Sequence, residues 1–279
     1  MNSAQVQELL LTLRDELGLQ TGFTQLLMAF ALLMARVLPP IILTPFLGGE
    51  TVPQQVKIGL AIMLGMVLYP LIVSQVRDIP ISAFVFVALL LKELFIGLTL
   101  AFVINLVFDA AQAAGSLVDI LGGTSQAQLM VPQLGQQTSI FGALQLQMTV
   151  VLFLSIGGHH VIITAMGESL ALLPLDQYPR FSSGVWPFFD AVLRVFGDLV
   201  RIAVSLAAPV LLASFLVDLA LGMINRVAPQ VQVFFVSMQI KPMVAVLITF
   251  FSIHLVLGRI VDEYGIMLRW LRYVMALLG

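Results

Sequence analysis

Six apolar runs of bilayer-crossing length follow one another between Phe23 and Leu257, and few folds can accommodate them. About 20 apolar residues in a helix span the roughly 30 Å hydrocarbon layer. Hydropathy places the runs at about 23–43, 56–76, 81–108, 140–175, 186–225 and 231–257. The third and fifth are too long for one simple crossing. The fourth is broken at Gly157-Gly158-His159-His160 and divides into two short helices. Composition agrees: 60% of the 279 residues are hydrophobic and 10% charged, against about 25% charged in ordinary soluble domains. The predicted fold is all-α, a polytopic hydrophobic helical protein with helical hairpins and about six apolar segments, some long or broken. No internal repeat or Ser/Pro linker divides the chain, so residues 1–279 are read as one domain.

Several classes are excluded at once. Without cysteine there is no disulfide, thiolate metal site or cysteine nucleophile. A net charge of −2 implies no nucleic-acid partner. Glu8, Asp15 and Glu16 near the start argue against a signal peptide. Leu9, Leu10, Leu13 and Leu17 recur at helical spacing, so residues 1–22 read as an amphipathic helix. The tail, 258–279, with Arg259, Asp262, Glu263, Arg269 and Arg272, is a second candidate. His159-His160 is the one tempting metal pair, but neighbours on a helix do not converge and no acid completes the set. No phosphate loop, nucleophile elbow or HExxH pattern occurs, so neither an enzyme nor a cofactor is expected.

Two connections are unusual. Residues 44–55 form a turn rich in helix breakers, with Pro45, Gly48, Gly49 and Pro53. Residues 109–139 carry Asp109 and Asp119 but no cation, and from Gly122 to Ser139 they are polar, uncharged and rich in Gln. Irregular backbone at membrane depth survives only inside protein or along a watery cavity, so this stretch reads as re-entrant or pore-facing.

Charges inside the apolar runs cost about 2.5–3.5 kcal/mol each on insertion scales and face protein or water. Asp190, Arg194, Asp198 and Arg201 make one helical stripe of alternating sign. Asp218 and Lys241 flank the turn Asn225-Arg226-Val227-Ala228-Pro229-Gln230 and are expected to pair across a hairpin. Lys92 and Glu93 point about 100° apart on a helix, so each is expected to need an outside partner. Arg36 is another intramembrane charge. Counting cations places both termini in the cytoplasm, with Arg14, Arg77, Arg180, Arg259, Arg269 and Arg272 inside against Lys57 and Arg226 outside. On residues alone, a secondary transporter or proton-coupled channel is the competing reading, with Glu93, Asp119 or Asp198 on an ion path. It would carry inverted repeats, which are not found in the sequence.

Four blocks in order resemble the FliR/SctT family, export-gate subunits of type III secretion systems, from near Arg36 to about Pro242. They are Arg36-x-x-Pro39 through Pro53-x-x-Val56-Lys57-x-Gly59-Leu60; Gly97 with Asp109-Ala-Ala-Gln-Ala-Ala-Gly115; Leu152-Phe-Leu-Ser-Ile-Gly-Gly158-His159 with Leu173-Pro174; and Pro209 with Leu219-Ala-Leu-Gly222-Met-Ile-Asn225-Arg226-x-Ala228-Pro229-Gln230-x-x-Val233-Phe234. Val131 departs from the acid that the family often carries before the proline matching Pro132. Residues 236–241 are more similar to the injectisome branch than to the flagellar one.

The resemblance implies a structural and gating role in an entry pore for unfolded protein substrates, at the bacterial inner membrane within a basal body. Residues 23–185 would be FliP-like helices with a pore loop at 109–139, and 186–257 a FliQ-like hairpin. Implied partners are FliP/SctR-like and FliQ/SctS-like subunits, an FlhB/SctU-like switch protein, secretion substrates in transit and membrane lipid. The loop 122–132 would be a plug, built from Gly122, Gly123, Thr124, Ser125, Gln126, Gln128, Leu129, Met130 and Pro132. Arg36, Lys92, Glu93, Asp190, Arg194, Asp198, Arg201, Asp218, Asn225, Arg226, Pro229, Gln230 and Lys241 would serve subunit and helix packing.

Overall fold

A computed structural model describes residues 23–47, 49, 52–73, 83–124, 139–179 and 184–278. Among these it contains seven α-helices, one short 3-10 turn and no strand. The helices are α1 (Phe23–Leu43), α2 (Gln54–Val73), α3 (Ala83–Leu121), α4 (Ile140–Ser155), α5 (Gly158–Leu172), α6 (Trp186–Val227) and α7 (Val233–Leu278). Five are long and apolar enough to cross a membrane, and the broken pair α4 and α5 makes a sixth if counted as one span. The amphipathic helix expected at 1–22 lies outside the described residues.

The apolar runs become helices, with two corrections. The third run continues as helix to Leu121, so residues 109–121 belong to α3 and not to a connecting loop. The tail is not a separate helix either, because the sixth run and residues 258–278 form one helix, α7. Falling hydropathy marks where a helix leaves apolar surroundings, and the backbone ladder runs on regardless. At 1.5 Å per residue, α3, α6 and α7 are each about 58–69 Å long, roughly twice the hydrocarbon layer.

The chain divides into two compact units. Unit 1 holds residues up to Ile104, His159–Phe189 and Leu271–Gly279; unit 2 holds Asn105–Gly158 and Asp190–Trp270. In unit 1, α1 and α2 form an antiparallel hairpin. Its turn begins where Thr44 closes α1 by donating its hydroxyl to the Pro40 carbonyl at 2.5 Å, and Pro53 starts α2 by accepting from the Val56 N–H at 3.0 Å. Lys57 Nζ donates to the Ile42 carbonyl, supplying a cation to the C-terminal end of α1. Gly97 lets α3 touch α1, since a Cβ there would lie 2.5 Å from the Arg36 carbonyl oxygen. Leu32, Leu33, Val37 and Ile41 of α1 and Ile96 and Leu100 of α3 are all buried.

In unit 2, α6 and α7 form a second hairpin, closed by Ala228-Pro229-Gln230. The Ala228 N–H donates to the Ile224 carbonyl at 2.8 Å, and the Val231 N–H to the Ala228 carbonyl at 3.0 Å. Phe108 of α3, Phe153 of α4 and Tyr264 of α7 stack as an aromatic trio with centroids 5.2–6.2 Å apart. Tyr264 satisfies its buried hydroxyl by donating to the Thr149 carbonyl at 2.7 Å. The break between α4 and α5 falls at Gly157, whose φ of 74° is open to glycine at little cost.

Candidate functional site

The end of α3 and the start of α4 meet at one buried carboxylate. Gly115 makes the meeting possible: a Cβ there would lie 2.4 Å from the backbone of Phe141 and Gly142, so only glycine lets the two helices approach this closely. One turn further along α3, Asp119 is 2% exposed. Its Oδ1 accepts from the Thr124 hydroxyl at 2.5 Å. Its Oδ2 accepts from the Ser139 hydroxyl and, at 3.0 Å, from the Phe141 N–H. Ser139 in turn is the N-cap of α4, accepting from the Gly142 N–H at 2.8 Å. Thr124 and Ser139 are the last and first described residues on either side of 125–138. One acid therefore holds both ends of that segment.

The entry to the segment also rests on α7. Gly122 is buried, and a Cβ there would lie 2.7 Å from the Ala245 methyl. Gly123 takes a φ of 74°, which favours glycine, with Lys241 alongside. Lys241 Nζ pairs with Asp218 Oδ1 at 2.7 Å, so the hairpin partners expected from the sequence do meet. Of the nine residues assigned to a plug, Gly122, Gly123 and Thr124 sit at this base. Ser125, Gln126, Gln128, Leu129, Met130 and Pro132 lie outside the described residues. Asp119 was not among them. Its signal was Ser139, an N-cap residue directly before an apolar run.

The remaining charges resolve into local groups. In unit 1, Arg36 (1% exposed) donates through Nη2 to Glu93 (0% exposed) at 2.9 Å, and its Nε pairs with the same carboxylate. Arg36 also donates to the Ser169 and Leu173 carbonyls, both at 2.8 Å. Lys92 lies 2.5 Å from Glu93 and donates to the carbonyls of Pro174, Leu175 and Gln177. Lys92 and Glu93 thus do pair with each other, against expectation, and the outside partners that each was expected to need are other segments of this chain. The flexible lysine stem folds back to its neighbour, and the rest of both demands is met by Arg36 and the carbonyls after α5.

The stripe on α6 splits into two i,i+4 and i,i+3 pairs, Arg194–Asp190 at 2.7 Å and Arg201–Asp198 at 3.2 Å, all four at least partly exposed. Asp198 also accepts from the Trp270 indole at 2.7 Å. Arg259 and Arg201 approach the buried Glu263 at 3.0 and 3.8 Å. Asn225, Arg226, Pro229 and Gln230 are exposed at the hairpin tip.

Fold and site together define a polytopic helical membrane protein in which one buried acid bonds Thr124 and Ser139, the described residues on either side of 125–138. The family described as bacterial export proteins, family 1, matches residues 27–265. The flagellar biosynthetic protein FliR of Bacillus subtilis is 29% identical over 255 residues, covering 90% of this chain and 96% of that protein. The Yop proteins translocation protein T of Yersinia pestis is 32% identical over 227 residues, 80% of this chain and 84% of its own. The secretion system apparatus protein SsaT of Salmonella typhimurium is 30% identical over 223 residues, 79% and 85% respectively. The chain belongs to this family, the FliR/SctT group of bacterial export proteins.

Proposed function

We propose that this chain is a structural and gating subunit of a type III secretion export gate. It forms part of the entry pore for unfolded substrates across the inner membrane, within a basal body, with residues 122–132 as the plug. The observation that carries the reading is the double anchor on Asp119. A segment that must obstruct a lumen and yield to a passing chain needs fixed ends and an interior free of strong bonds. Asp119 fixes the ends, and 125–138 contains no charged residue to hold it elsewhere. Neutral Gln126, Gln128 and adaptable Met130 suit a surface that many sequences must pass.

The work done is mechanical. The transporter reading is less well supported, because its candidate acids are engaged: Glu93 by two cations, Asp119 by three donors and Asp198 by Arg201 and Trp270. The lengths of α3, α6 and α7 suit a subunit whose helix ends continue among other subunits beyond the hydrocarbon layer. FliP/SctR-like and FliQ/SctS-like chains, and an FlhB/SctU-like switch protein, are the proposed neighbours. Affinity purification in mild detergent, with mass spectrometry of what accompanies the chain, tests the assignment. Small apolar subunits of those two kinds are expected in fixed ratio. A chain that purifies alone from its own cells would refute it.

A further inference from the structure

In unit 2 a groove of about 560 Å³ runs between α3 and α6. Asp109, Gln112 and Ser116 edge it on α3, while Leu199, Val200 and Val204 line it from α6, with Ala113 and Ala203 also in its wall. Ser116 is satisfied within its own helix by the Gln112 carbonyl. Asp109 and the Gln112 side chain are exposed and make no hydrogen bond or ion pair with described residues. Ile120, Val200 and Val204, also on this face, are 46–64% exposed. Neither lipid nor water suits such a surface. Lipid would leave the Asp109 carboxylate without a partner, at a cost that intramembrane acids avoid by pairing. Water would leave the aliphatic wall uncovered.

We propose that this groove seats an apolar helix of a different subunit, one that presents a lysine or arginine to Asp109. The small residues Ala113 and Ala203 let another backbone approach closely, as in membrane helix pairs. Gln112, one turn from Asp109, offers a second hydrogen-bonding level about 4.5 Å along the axis, which a lipid headgroup held at one depth would not use. The inference rests on the proposed function only in requiring a multi-subunit assembly.

The absence of cysteine allows a direct test. Ser116→Cys, labelled with a photoreactive benzophenone thiol reagent in the complex purified from its own cells, reports what covers the groove. The expected adduct joins another polypeptide, within an apolar segment and one or two turns from a Lys or Arg. Adding Asp109→Asn should lower the adduct yield about tenfold, the loss of roughly one charge pair. Asp109→Lys should lose the adduct and regain it when that basic residue is changed to Glu. An adduct only with lipid, only with a second copy of this chain, or with no protein while other subunits still co-purify would overturn the groove assignment and leave the export-gate reading standing. Absence of any co-purifying subunit would overturn both.

Discussion

Arg36, Glu93 and Lys92 show how charge is tolerated inside an apolar bundle. Each donor is spent on Glu93 or on carbonyls in and after α5. The group therefore pins the turn after α5 to α1 and α3. Removing one member of such a buried pair costs about 3–5 kcal/mol, because the other is left uncompensated. Glu93→Gln strips the carboxylate from both Arg36 and Lys92 and is expected to lower the unfolding midpoint in detergent strongly. Arg36→Met leaves Glu93 paired with Lys92 and is expected to lower it less, and the double variant is expected to lose less than their sum. Additive losses in that cycle would contradict the pairing. Asp218 and Lys241 are a milder case, since the Asp218 side chain is 54% exposed. Water screens an exposed pair to about 0–1 kcal/mol, so Asp218→Asn alone should shift the same midpoint only slightly. A loss as large as that of Glu93→Gln would show this pair to be far more deeply engaged than its exposure indicates.

At the scale of elements, glycines decide where helices touch. Gly115 faces the Phe141–Gly142 backbone with no room for a methyl group, whereas Gly197 on α6 faces open space. Overpacking a close contact costs about 1–3 kcal/mol, while replacing a helical glycine with alanine in open space gains up to about 1 kcal/mol. Gly115→Ala should therefore destabilise, and Gly197→Ala should be neutral or stabilising, in thermal melts of the purified chain. The reverse order would contradict the packing of α3 on α4. Helix existence was legible in the sequence because the apolar runs are long, and the one break read in them, at Gly157-Gly158, falls where α4 gives way to α5. Helix ends were less so. Arg259 and Glu263 lowered the hydropathy after Leu257, yet they stand four apart on one helix and support its continuation. Arg36 and Glu93 were both visible as costly charges, but their 57-residue separation gave no local cue to their meeting. Asp119 was visible as an acid but not as an anchor, because its donors come from both sides of residues 125–138 and no periodicity links Thr124 to Ser139.

At the scale of the whole molecule, the residues between the two anchors are proposed to obstruct a pore. Because the Asp119 anchor lies in α3 and α4, shortening the segment between Thr124 and Ser139 should spare assembly. Asp119→Asn keeps the shape but loses the charge that strengthens three hydrogen bonds, each worth about 1.5–3 kcal/mol. It should loosen the segment and leak partially. Deleting Ser125–Met130 should leak more. The most direct measurement is the conductance of the assembled complex in a planar membrane, comparing wild type with the Ser125–Met130 deletion. The deletion complex is expected to co-assemble normally and to pass ions that the wild type holds back. An assembled deletion complex no more conductive than wild type would contradict it.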